Sequence, residues 1–103
     1  MMLYVFIHGL TGRVFKALPL REAYEAGEEV FWKDYFHSLV IDAKGAFETF
    51  PDLQAMPGYI TVVNTLQYLN TEPSSMKQFR KEIFGILSIL NGIERQLGGD
   101  VDV

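Results

Sequence analysis

A chain of 103 residues, 49% hydrophobic and 14% aromatic, has the length of one ordinary domain and buries enough surface, roughly 60–70%, to hold a core without metal or disulfide staples. Absence of cysteine excludes disulfide frameworks, thiolate metal sites and cysteine nucleophiles. The net charge of −4 is modest, no run approaches the roughly 18 apolar residues of a membrane span, and the apolar 3–7 stretch is too short for a signal-peptide core; the expectation is a soluble, cytoplasmic, single-domain protein over 1–103.

The chain begins with "YVFIHGLTG" (4–12), a β-rich run leading into two glycines. With the second extended stretch 13–18 it reads as a β-hairpin over 1–19, closed by Pro19. An apolar strand ending in His-Gly is also how many α/β-hydrolases build an oxyanion hole. Such an enzyme needs a nucleophile serine in G-x-S-x-G, and none of Ser38, Ser74, Ser75 or Ser88 has that context. His8 and His37 are the only histidines and show no metal-ligand spacing. The expectation is no enzyme activity, no catalytic residue, no metal and no cofactor.

From 20 to 50 the apolar spacing turns helical: Val30, Phe31, Tyr35, Phe36, Leu39 and Val40 share one broad face. Glu29 and Lys33 form an i,i+4 pair on the other. Gly27 and Gly45 divide this region into two or three pieces, and Pro51 closes it. Pro57 opens "PGYITVVNTLQYLN", whose β-branched content admits a strand. Its apolar recurrence at Ile60, Val63, Leu66 and Leu69 favours a helix. "NTEPSS" is a loop. Ser75 and Gln78 match a capping box, and an apolar stripe from Met76 through Phe79, Ile83, Leu87, Leu90 and Ile93 to Leu97 predicts a helix about 33 Å long. Gly98-Gly99 would stop it, leaving 98–103 as a tail. Gly85, Ser88 and Gly92 lie three and four apart on one face, a spacing that could line a ligand groove but better suits close packing against another helix. The predicted fold class is α+β: an N-terminal β-hairpin on a bundle of three or four helices spanning 20–97, with the long C-terminal helix central.

Charge is concentrated. Residues 20–54 hold eight acids (Glu22, Glu25, Glu28, Glu29, Asp34, Asp42, Glu48 and Asp52) against Arg21, Lys33 and Lys44. The acids centre on "REAYEAGEEVFWKD" (21–34), where Tyr24 and Trp32 stand among them. Interface hot spots are enriched in these aromatics, and clustered carboxylates steer a basic partner into encounter. The candidate partner-binding residues are therefore Glu22, Tyr24, Glu25, Glu28, Glu29, Trp32, Asp34 and Asp52. "GRVFKA" is too sparse in basic and aromatic residues for a nucleic-acid platform.

Four segments carry a family resemblance: "DYFHSLV" (34–40), "FETFPDL" (47–53), "PGYITVVNTLQYL" (57–69) and "FRKEIFGIL" (79–87). From about Trp32 to Glu94 the chain resembles small bacterial immunity proteins of contact-dependent growth inhibition systems. Such proteins bind the toxin domain delivered by a neighbouring cell and block its active site; many of those toxins are nucleases with basic clefts. The resemblance implies a cognate toxin domain as partner. An acidic adaptor or regulatory subunit without catalytic activity is the alternative reading of the same surface.

Overall fold

Leu3, Ile7, Leu10, Val14, Ala17 and Leu18 recur at helical spacing, and all six are buried. In the computed structural model, which describes residues 2–98, they form the inner stripe of one long helix, α1 (Met2–Glu25). No strand occurs among the described residues, so the expected β-hairpin over 1–19, and with it the α+β class, is replaced by an all-α fold. Local β preference at Val5, Ile7 and Val14 amounts to a few tenths of a kcal/mol per residue; burying six apolar side chains on a helical face outweighs it. Gly9 and Gly12 take helical conformation, and among the described residues the only positive φ is at Gly27. Pro19 sits inside α1 rather than ending it. It forfeits one backbone hydrogen bond there, to the Phe15 carbonyl, and lies on the exposed side of the helix.

The first true break comes at Gly27. The Glu28 N–H reaches the Ala23 carbonyl and the Gly27 N–H the Tyr24 carbonyl, both at 3.0 Å. With Gly27 at φ 86°, this is a Schellman ending, which needs a residue in left-handed conformation just past the last turn. Helix α2 (Trp32–Thr49) follows and runs through Gly45 without interruption. Its start at Trp32 corrects two expectations: Phe31 lies outside the helix and is exposed, and Glu29 precedes it, so the Glu29–Lys33 helical pair is not made. A single 3-10 turn (Pro51–Ala55) leads to α3 (Pro57–Thr71), with Pro57 at the first helical position as expected. Helix α4 (Met76–Gly98) begins where Ser75 Oγ accepts the Gln78 N–H at 3.1 Å, the first half of a capping box. Residues 99–103 of the expected tail, including Gly99, lie outside the described residues.

The helices run up, down, up and down. Phe6 meets Phe50 (5.4 Å between centroids) and Arg13 reaches Asp42 (2.8 Å), so α1 and α2 are antiparallel. Tyr59 reaches back to Ala43, and Asn70 to His37, across α2 and α3. At the fourth seam, Glu22 pairs with Arg80 and His8 with Glu94, locking α1 against α4. Each helix therefore flanks two others, and α4 is one wall of a four-helix bundle rather than its centre. The core runs its full length. At one end Trp32, Phe36 and Phe79 stack in tilted and edge-on contacts 5.0–5.7 Å apart. Phe79, Ile83 and Leu90 are fully buried and Leu87 is 7% exposed, as the α4 stripe predicted.

Candidate binding surface

The antiparallel order brings the α1–α2 connection and the α3–α4 connection to the same end of the bundle. Arg21 ties them together. Its guanidinium donates to the Ser74 carbonyl at 2.7 Å, lies 3.5 Å from Glu25, and covers the rings of Phe79 (4.9 Å) and Trp32 (5.9 Å). Beside it a cleft of about 620 Å³ opens, lined among others by Tyr24, Lys33, Asp34, His37 and Glu72. Arg21 Nε and Ser74 Oγ are buried at its edge without a hydrogen-bond partner.

Most of the candidate residues gather at this end. Glu22 and Glu25 are exposed in the closing turns of α1, Glu28 and Glu29 in the connection, and Asp34 in the first turn of α2. The last turn of α1 contains no basic residue. Carboxylates at a helix C-terminus stand at the negative end of its dipole, where they gain nothing in stability and add to the outward negative potential. Glu22 is neutralised by Arg80 (2.9 Å) and Glu25 in part by Arg21. Among the described residues, Glu28, Glu29, Asp34 and Glu72 form no ion pair within 4.0 Å. Glu72 was not among the sequence candidates; it joins the patch because α3 ends where α1 ends, which the linear order does not reveal.

Two candidates are not part of this exposed group. Trp32 is 6% exposed and belongs to the core beneath Arg21, so its aromatic surface is already used inside the fold. Asp52 lies in the 3-10 turn beyond the far end of α2. Eighteen residues of helix separate it from the acidic end, about 27 Å at 1.5 Å per residue. Tyr24 remains half-exposed, with the Lys33 ammonium 5.8 Å from its ring centroid.

His8, the residue that suggested an oxyanion loop, is in mid-helix and exposed, with Nδ1 2.6 Å from Glu94 Oε1. Ser88 shares its groove but lies six residues along α4 from Glu94, about 9 Å of helix, and makes no hydrogen bond to His8. Tyr35 and Tyr59 have hydroxyl pKa values pushed up, chiefly by burial. Both hydroxyls donate to backbone carbonyls, Tyr35 to Arg13 at 2.7 Å and Tyr59 to Ala43 at 2.5 Å, so they act as structural ties. No cluster of three or more metal-ligating side chains occurs among the described residues, and no described helix is long and apolar enough to cross a membrane. Comparison with protein-family models, curated proteins and solved structures gives no match to this chain.

Proposed function

We propose that this chain is an immunity protein: a binding module without chemistry of its own that neutralises a cognate secreted toxin domain, a nuclease, by covering its basic active-site cleft. The observation that carries the reading is the set of unpaired carboxylates, Glu28, Glu29, Asp34 and Glu72, presented together at one end of the bundle. These groups would stand where substrate phosphates stand and pair with the toxin's lysines and arginines. Tyr24 at the rim supplies an aromatic contact. The resemblance of residues 32–94 to contact-dependent growth inhibition immunity proteins supports the choice of partner class.

The test is titration of the toxin domain encoded next to this gene with wild type and with a Glu28→Lys, Glu29→Lys, Glu72→Lys variant. None of the three side chains is held in an ion pair, so the fold is expected to survive, and circular dichroism checks that. Loss of a desolvated charge pair costs about 2–5 kcal/mol and raises the off-rate, whereas rim charges mainly slow association. Binding should also weaken with salt, since exposed charges are screened over about 8–10 Å. Unchanged affinity and unchanged salt dependence in the folded variant would refute the reading.

A further inference from the structure

Helix α1 is apolar on two sides. Between Met2 and Leu20 it carries only two full charges, Arg13 and Lys16. Its inner stripe is buried in the bundle, yet Val5, Gly9, Gly12, Phe15 and Pro19, which share the opposite stripe, all face solvent. Met2 is 75% exposed, Val5 63% and Phe15 58%; on the adjoining edge of α4, Phe84 is 50% exposed. An ordinary surface helix has one apolar stripe, and a contiguous exposed apolar face marks an interaction site. The glycines add a second observation. A side chain placed at Gly9, Gly12 or Gly85 would enter open space, so packing within the chain requires none of them. The close helix packing that the spacing of Gly85, Ser88 and Gly92 suggests is not made inside this bundle, where Gly85 and Ser88 are exposed.

We propose that this face is a homodimer interface, with α1 of one copy lying antiparallel on α1 of the other about a two-fold axis at Gly12. A two-fold interface needs one patch that carries both halves of the fit, and this one does. In a register centred on Gly12, Phe15 of one copy enters the space above Gly9 of the other, Val5 meets Pro19, and the backbones approach where Gly12 faces itself. Charge agrees with the same register: Lys16 falls opposite His8, whose ring is bonded to Glu94. The groove between Phe15 and Phe84, about 680 Å³, receives the partner's side chains. The face measures about 27 Å by about 20 Å from helix rise, helix width and interaxial spacing. Both partners together then bury roughly 1,100 Å², just above the roughly 1,000 Å² expected of a specific interface and below the standard size. The dimer is therefore dissociable. It leaves the acidic end of the bundle uncovered and does not depend on the function proposed above.

Sedimentation equilibrium of the full chain decides this, run from about 1 μM to about 1 mM to span weak and moderate affinities. Wild type should shift with concentration from the 11.7 kDa monomer to twice that mass. Gly12→Gln places a long side chain on the axis while improving helix propensity, so it should keep its circular dichroism yet weaken dimerisation by about tenfold or more. Phe15→Glu should do the same, and Ile41→Glu, exposed on α2, should leave the dimer intact. A wild type that stays monomeric throughout overturns the proposal, as does a dimer indifferent to both Gly12→Gln and Phe15→Glu. A monomeric wild type that binds phosphatidylcholine vesicles through Phe15 would also overturn it, assigning the face to a lipid surface instead.

Discussion

Replacing Tyr59 with phenylalanine removes a single oxygen from the interior. The side chain is fully buried, its hydroxyl donates to the Ala43 carbonyl at 2.5 Å, and its ring meets Phe47 edge-on at 5.3 Å. Phenylalanine keeps the ring contact and leaves no cavity larger than a hydroxyl. Ala43 lies inside α2, so its carbonyl retains the helical N–H four residues on and is not orphaned. The loss should therefore be that of one neutral hydrogen bond, about 1 kcal/mol, or a melting temperature lower by about 4–8 °C for a domain this size. Urea denaturation followed by circular dichroism measures it, with an unchanged m-value.

Alkaline pH supplies a sharper check. Burial raises the Tyr59 pKa above its ordinary value of 10.0 in the folded state. Above about pH 10 the unfolded chain releases a proton that the folded chain keeps, so the unfolded state binds fewer protons and stability falls as pH rises. The phenylalanine variant lacks this loss, while every other titrating group is common to both proteins. The gap between wild type and variant should accordingly shrink from neutral pH toward pH ~11. A gap that stays constant or widens, or a neutral-pH loss above about 3 kcal/mol, would refute the reasoning.

Leu87→Ala and Leu90→Ala should each cost about 2–5 kcal/mol in the same denaturation assay, because both side chains are in the α4 core stripe. Gly27→Ala should cost about 1–2 kcal/mol, since alanine at φ 86° must hold a left-handed conformation. An undiminished stability there would show that α1 can end without its Schellman turn.

The start and inner face of helix α4 were legible from the sequence because their signals are local and agree with one another: a serine cap at 75 and an apolar stripe at a period of 3.6. Pro57 announced the start of α3 for the same reason. The segment 1–19 was misread because its local signals, β-branched residues around two glycines, point one way and its 3.6-residue stripe of Leu3, Ile7, Leu10 and Val14 points the other. Local preference is worth tenths of a kcal/mol per residue, while burial of each large apolar side chain is worth about 1.5–3 kcal/mol. The second term exists only once α2 and α4 are in place to bury the stripe.

The acidic patch divides along the same line. Composition and order place Glu22, Glu25, Glu28, Glu29 and Asp34 near one another, since they are close in the chain. Sequence also supplied Trp32 and Asp52, on the grounds of residue type. Only the bundle assigns them: Trp32 turns inward beneath Arg21 onto Phe36 and Phe79, Asp52 is carried to the opposite end by the length of α2, and Glu72 arrives from α3. The sequence by itself determined where helices α3 and α4 begin, which face of α4 turns to the core (Ile86 joins the predicted stripe there) and where negative charge is dense, because caps, periodicity and charge are properties of neighbouring residues. Tertiary structure alone decided that α1 is a helix, which of its two apolar faces is inside, and which acids meet. Those depend on contacts between residues tens of positions apart, whose free energy no local pattern contains.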